Sequence, residues 1–181
     1  MDVFMEYMIQ RKRDTKDKLM IAGIILLAII LTFVLFFVMM VLAANKVNLF
    51  SIGLLFVAGL WWGAVKLIGM RSIEWEYILT NSAFDVDKIV AKRGRKRVLS
   101  MDFTEAAIVA CIEDNEHNQV YRNRDGSGVK VLDFTGSALL GHVYFIDVQV
   151  EGERKLVLFQ PTSKMLEAIR KFNPRNVFLY E

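Results

Sequence analysis

Residues 19–44 read LMIAGIILLAIILTFVLFFVMMVLAA, and residues 49–65 read LFSIGLLFVAGLWWGAV. Neither run contains Asp, Glu, Lys, Arg or His, and Lys46 is the single charge between them. A membrane-spanning helix needs about 20 predominantly apolar residues, so each run predicts one span. The polar residues 45–48 (NKVN) predict the connecting turn. The chain therefore begins with a short segment (1–18), followed by a two-helix transmembrane hairpin (19–71).

A cleaved signal peptide is the alternative interpretation of the first run. Leu42-Ala43-Ala44 resembles a cleavage site. Signal-peptide cores are typically about 7–15 residues long, whereas this run has 26. The length therefore favours a span.

Basic residues set the expected orientation. Arg11, Lys12, Arg13, Lys16 and Lys18 precede the first span, and Lys66 and Arg71 follow the second. The positive-inside rule places the basic flanks in the cytoplasm. We expect a multi-pass protein of the cell membrane with both termini cytoplasmic.

Two further features of the membrane region carry predictions. Asp2, Glu6, Gln10 and Arg13 share one helical stripe, which predicts a short interfacial helix or a helical extension of the first span. Gly59 and Gly63 form a GxxxG pattern, which permits close helix packing. We expect it to pack the two helices of the hairpin, with dimerisation as the alternative.

From residue 72 onward the pattern changes to the alternation that is typical of half-buried strands. The predicted strands begin at Ile73 and cover residues 73–80, 84–90, 98–101, 129–134, 142–150 and 155–159. The continuous apolar run 106–112 predicts a strand covered on both faces, or a short helix. Pro161-Thr162-Ser163 then predicts a helix start, and Met165, Leu166, Ile169 and Phe172 line one face of that helix.

Seven strands followed by one amphipathic helix is the element order of a pleckstrin-homology (PH)-like domain. The segment 77–81 (YILTN), with 84–87 (FDVD) and the basic hairpin after it, resembles the start of bacterial PH-like domains. The whole chain is similar to small two-span bacterial membrane proteins that carry such a domain. The resemblance implies a mostly β fold for residues 72–181, a partly open barrel of about seven strands closed by the C-terminal helix. Another small β-barrel or an α+β sheet is the alternative fold.

A basic hairpin is the first candidate site. Its six cations are Lys88, Lys92, Arg93, Arg95, Lys96 and Arg97. If the first strand leaves the membrane and the second returns, the turn near Gly94 faces the anionic inner leaflet. A solvated hairpin that protects a sheet edge is the alternative. The turn 81–83 (NSA) is uncharged, which argues against an inositol phosphate pocket of the eukaryotic type.

Charge and motif content exclude several function classes. The chain has 23 Lys and Arg against 20 Asp and Glu, but residues 72–181 hold 15 against 16, so a nucleic-acid partner is not expected. The single cysteine, Cys111, excludes an intramolecular disulfide and is expected to be an inert core residue. No catalytic motif occurs in the sequence, and we expect no enzyme activity, cofactor or metal site.

Two histidines and one long loop complete the candidates. Glu113, Asp114, Glu116 and His117 form a polar cluster, which we interpret as solvent-exposed loop residues. His142 opens a strand and has no evident partner. The loop 113–128 is long enough to be either functional or disordered, and its polar composition favours disorder.

The sequence thus predicts a non-enzymatic, membrane-anchored module. It would present a PH-like domain at the cytoplasmic face for contacts with proteins or with anionic lipid. The alternative is an accessory subunit of a transporter or other membrane complex, with its helices packed against a membrane-protein partner. The sequence leaves the oligomeric state open.

Overall fold

The two apolar runs form two long helices. A computed structural model describes residues 2–45, 50–126, 128–137 and 140–180. Helix α1 covers Thr15–Ala44 and helix α2 covers Phe50–Gly69. Both are long and apolar enough to cross a membrane, and most of their large apolar side chains are exposed, unlike those of a soluble core. The predicted pair of apolar helices is confirmed, whereas residues 46–48 of the predicted turn lie outside the described residues.

Small residues let α1 and α2 approach each other. Ala28, Gly53 and Ala64 are buried between them, and a Cβ atom added to Gly53 would overlap the Met39 side chain. The Trp61 indole N–H donates to the Thr32 hydroxyl oxygen at 3.2 Å, which adds a polar contact between the helices.

Gly59 and Gly63 do not form the close approach within the hairpin. A Cβ atom added to either would meet no described atom within 4 Å. Our expectation that this pair packs the hairpin's own helices is therefore wrong, since Gly53 fulfils that role. A contact of Gly59 and Gly63 with another molecule stays a prediction.

The N-terminal segment is a strand, so the predicted interfacial helix is wrong. Strand β1 covers Phe4–Gln10 and pairs antiparallel with strand β2, Ile73–Thr80. Its side chains alternate between two environments: Met5, Tyr7 and Ile9 pack against the domain core, and Phe4 and Met8 are exposed. Pairing with β2 satisfies the backbone groups of this segment and lets Met5, Tyr7 and Ile9 pack against the domain core.

The first sheet has the order β1-β2-β3-β4 and is antiparallel throughout. Strand β3 covers Ala83–Val90, and strand β4 covers Gly94–Asp102. A β-bulge between Val86 and Asp87 shifts the register of β4 by one residue, which places Arg97 opposite Asp87.

The helical hairpin is an insertion within the sequence of the β domain. Residues 2–12 and 73–180 form one compact unit, and residues 13–72 form the other. The chain therefore enters the first helix directly from one strand of the sheet and returns into the neighbouring strand.

The second sheet has the order β5-β7-β8-β6. Its strands are β5 (Ile108–Cys111), β6 (Lys130–Asp133), β7 (Tyr144–Val150) and β8 (Glu153–Phe159), with β6 parallel to β8 and the other pairs antiparallel. All seven predicted strands have a counterpart, and the run 106–112 contains a strand covered on both faces.

The C-terminal helix closes the core. Helix α4 covers Ser163–Phe172, and Thr162 caps it by accepting from the Met165 N–H at 3.3 Å. Met165 and Ile169 are buried, as the sequence predicts. The Asn173 side-chain amide donates to the carbonyls of Phe103 and Ala106 at 2.8 and 2.9 Å, which ties the end of the helix to the link between the sheets.

Candidate functional site

The basic hairpin is built on an unusual turn. Ala91 and Lys92 have φ values of 53° and 57°, and the Arg93 N–H donates to the Val90 carbonyl at 3.1 Å. Positive φ at both central residues defines a type I′ turn, which matches the twist of a hairpin but normally uses Asn and Gly. An L-residue in the left-handed region costs about 1–2 kcal/mol. The turn therefore keeps a lysine at a position where glycine would be unstrained.

Two of the six predicted cations are neutralised within the sheet. The Arg95 guanidinium lies 2.7 Å from a Glu76 carboxylate oxygen. The Arg97 guanidinium lies 2.9 Å from Asp85 and 3.3 Å from Asp87. Glu76 and Asp87 are buried and directly opposite each other, so the arginines compensate two like charges on adjacent strands. Arg95 and Arg97 thus serve the sheet itself.

The other four cations lack such compensation. Lys88, Lys92, Arg93 and Lys96 have no carboxylate partner among the residues that the structure describes. Lys88 is directly opposite Lys96, a cross-strand pairing of like charges that is destabilising. The Lys88 ammonium also lies 6.0 Å from the centre of the Trp75 ring, at the outer limit of a cation–π contact. This end of the hairpin concentrates positive charge that the described residues leave unbalanced.

The same end of the sheet carries both chain links to the helices. Gln10 is opposite Glu74, Ile73 is opposite Val90, and Val90 is opposite Gly94. Four residues separate β1 from α1, and three separate α2 from β2. Both links therefore leave the sheet at the end that carries the basic hairpin turn.

The loop 113–128 is ordered over its described residues, so our expectation of disorder is wrong. Helix α3 covers Gln119–Arg122, and the Tyr121 ring stacks on Phe145 at 6.0 Å. The Asn118 side-chain amide donates to the Ile112 carbonyl at 2.8 Å. The face of the second sheet beneath this loop is apolar, and the loop shields it from solvent. Ser127 lies outside the described residues.

The predicted polar cluster separates into two groups. His117 pairs with Asp114 at 2.8 Å and stacks on Phe178 at 3.7 Å, and the hydrogen bond with His117 lowers the pKa of Asp114 below its ordinary value. Glu113 instead pairs with His142 at 2.7 Å. His142 therefore has a partner that the sequence did not reveal, because only the pairing of β5 with β7 brings the two residues together.

Cys111 lies beneath that pair. Its side chain is fully buried, and burial raises the pKa of the thiol. A buried thiol with a raised pKa is a poor nucleophile, and the position of Cys111 in the core is as the sequence predicts.

Comparison with known proteins identifies the domain. A family model described as "Bacterial PH-like domain (DUF6106)" matches residues 1–179. The chain belongs to this bacterial PH-like family. The match includes β1 and the hairpin, in line with a domain that is discontinuous in sequence. No curated protein and no solved structure matched the chain.

Membership of this family establishes the fold class of the chain, whereas the function has to be inferred from the candidate sites. The predicted resemblance to two-span proteins with a PH-like domain is confirmed, and so is the architecture of two apolar helices with a mostly β domain and a C-terminal helix. PH-like domains are generally non-catalytic, so the surfaces of this domain are considered first as binding surfaces.

Proposed function

We propose that this protein holds its PH-like domain at the cytoplasmic face of the cell membrane, where the domain contacts anionic lipid through Lys88, Lys92, Arg93 and Lys96. The observation that carries the proposal is the uncompensated pairing of Lys88 with Lys96 at the end of the sheet that bears both helix links. An anionic leaflet would supply the missing negative charge.

The connectivity supports a same-side arrangement of the two hairpin ends. Strands β1 and β2 are hydrogen-bonded neighbours, so the chain before α1 and the chain after α2 must lie on one side of any membrane that the helices cross. The excess of lysine and arginine on these flanks supports the cytoplasm as that side.

The expected interaction is weak and local. Each basic residue near an anionic leaflet contributes about 1 kcal/mol, so four cations give roughly 4 kcal/mol. That value corresponds to a dissociation constant of about 1 mM. The helices supply proximity, and the cations would set the orientation of the domain on the surface.

Fluorescence quenching in the full-length protein tests this contact. A fluorophore is attached at Gly94→Cys, in the basic hairpin, or at Ala83→Cys, at the other end of β3, about 23 Å away along the strand. The protein is reconstituted in phosphatidylcholine vesicles with or without phosphatidylglycerol, with a quencher on the lipid headgroups. We expect stronger quenching at position 94, an increase with phosphatidylglycerol, and a decrease as salt rises.

A matched pair of variants separates a specific contact from net charge. Lys92→Ser with Lys96→Ser should remove the effect of phosphatidylglycerol at position 94. Lys164→Ser with Lys171→Ser, which removes two lysines from α4, should preserve it. Quenching at position 94 that is insensitive to both anionic lipid and salt would refute the proposal.

The alternative role as a subunit of a membrane complex has its own supporting observation. Gly59 and Gly63 leave one side of α2 without close contacts in the described hairpin. A stoichiometric membrane protein that copurifies in mild detergent, and is lost in Gly59→Leu, would favour that role.

A further inference from the structure

The pairing of β5 with β7 brings three metal-ligating side chains together at one end of this strand pair. Cys111 is opposite Tyr144, and the Ile112 N–H donates to the Val143 carbonyl at 3.0 Å, so the ladder continues beyond the strand end. The chain then turns, with the Asp114 N–H donating to the Cys111 carbonyl at 3.2 Å, and Glu113 in this turn pairs with His142, which lies just before β7. Cys111, Glu113 and His142 therefore meet at this end of the strand pair.

The three ligand atoms are already close together. The Cys111 sulfur, a Glu113 carboxylate oxygen and a His142 ring nitrogen all lie within 4.8 Å of one another. Ligands of a tetrahedral zinc ion are separated by about 3.5 Å, given metal–ligand bonds of about 2.0–2.3 Å. Small side-chain rotations would therefore bring all three onto one ion. The Glu113 and His142 side chains are 55% and 50% exposed, so an ion can reach them from solvent.

Hydrogen bonds and a ring contact restrain the three residues. Cys111 is fixed in β5, and the Glu113 N–H lies 3.5 Å from its sulfur. His142 is oriented by Glu113 and by an edge contact with the Tyr180 ring at 5.2 Å. These contacts limit the freedom of the three side chains, as a metal site requires.

A cavity of about 580 Å³ adjoins this cluster. His142, Tyr144, Thr162, Glu167 and Tyr180 are among its lining residues. With three ligands from the protein, a metal ion would keep one position for water or a small anion facing this space. Three protein ligands with an open fourth position is an arrangement known for zinc.

We propose that Cys111, Glu113 and His142 form a binding site for a zinc-class divalent cation. Thiolate and imidazole ligands favour zinc over magnesium or calcium, which prefer oxygen ligands alone. Binding displaces the thiol proton of Cys111, which is released to solvent as the metal–sulfur bond forms, while His142 binds as a neutral imidazole through the ring nitrogen that carries no proton. The site is independent of the lipid contact, because it uses the second sheet.

Cobalt is the probe that tests the cysteine directly. The full-length protein, in detergent and after removal of any purification tag, is titrated with Co²⁺. We expect saturation at one ion per chain with a thiolate-to-cobalt charge-transfer band in the near ultraviolet, and displacement of that band by Zn²⁺.

Variants assign the ligands. Cys111→Ser should abolish the charge-transfer band, and Glu113→Gln and His142→Gln should each weaken Co²⁺ binding by more than about tenfold. His117→Gln is the matched control, since His117 is the other histidine of the chain and pairs elsewhere; it should leave binding unchanged. Circular dichroism of each variant shows whether the fold is retained.

Two results would overturn the site. One is the absence of a charge-transfer band in the parent protein at saturating Co²⁺. The other is a folded Glu113→Gln, His142→Gln double variant that binds Co²⁺ with parental affinity, which assigns the ion to other groups. The second result stays decisive even if Cys111→Ser fails to fold.

Discussion

Ala91 and Lys92 occupy left-handed backbone positions that most L-residues avoid, and only one of them carries a charge. Glycine would relieve the strain at either position. A lysine in such a place lowers the stability of the fold while it projects a cation from the tip of the turn. The two effects can be separated, because different substitutions remove the charge with or without the strain.

Lys92→Gly should therefore raise stability and weaken lipid contact at the same time. Relief of the left-handed strain, less the larger entropy of glycine in the unfolded chain, leaves a gain of about 0.5–1 kcal/mol. Lys92→Ala is the control, because it removes the same charge and keeps the strain. Thermal unfolding in detergent should show a higher midpoint for Lys92→Gly alone, whereas both variants should reduce quenching at position 94. A midpoint for Lys92→Gly equal to that of Lys92→Ala would contradict the strain argument.

The basic hairpin also shows what the sequence could and could not predict at this scale. Its charge and its turn near Gly94 were evident from composition and spacing. The sequence did not reveal which of its cations form ion pairs with carboxylates, because this depends on the bulge that places Arg97 opposite Asp87. A shift of one residue in register decides which cations pair, and no periodic pattern in the sequence marks it.

Among the elements, β1 departs most from the sequence-based expectation, and its exposed face explains why. Phe4 and Met8 are apolar although they are exposed, so the period-two signal of Met5, Tyr7 and Ile9 is concealed. Its partner strand is also more than 60 residues away, beyond any local pattern. Helix α4, in contrast, was predicted correctly. Its apolar residues lie on one face, and its capping residue is adjacent in sequence, so both signals are local.

The inserted hairpin makes a direct prediction about which fragment folds. Residues 73–181 alone lack β1 and should be strongly destabilised or aggregate, since burying Ile9 by itself contributes about 1.5–3 kcal/mol. Residues 2–12 joined to 73–181 by a short turn should fold as a soluble domain, because the Arg11 N–H already lies 2.9 Å from the Ile73 carbonyl. Cooperative thermal unfolding followed by circular dichroism compares the two.

A peptide of residues 2–12 provides the control for that experiment. Added in excess, it should restore cooperative unfolding to the 73–181 fragment, and the same peptide with Ile9→Asp should not, because it places a charge in the core. Equal stability of the joined domain and the fragment without peptide would show that β1 is dispensable.

For the whole molecule, the sheet and the flanking charges support the proposed topology by separate routes. If α1 and α2 cross a membrane, pairing of β1 with β2 puts both hairpin ends on one side, and the lysine and arginine asymmetry favours the cytoplasm as that side. The sequence alone supplied the second argument. The first depends on a long-range strand pair and became available only with the structure.

Labelling of intact cells tests this topology. A cysteine at Asn45→Cys, at the end of α1, should react with a membrane-impermeant thiol reagent, and a cysteine at Ala83→Cys should react only after permeabilisation. The parent chain is the control, because Cys111 is buried and should stay unlabelled in both conditions. Reaction of Ala83→Cys in intact cells would place the domain outside and overturn the assignment.

The insertion of the hairpin between two paired strands also sets an order of events during synthesis. After β1 leaves the ribosome, 62 residues must follow before the first residue of β2 appears. At about 5–20 residues per second, this interval lasts about 3–12 s. Through that time β1 has no partner strand, and Met5, Tyr7 and Ile9 have no core to enter. Synthesis of both apolar helices therefore precedes completion of the sheet, and any delay in this interval prolongs the exposure of an aggregation-prone edge.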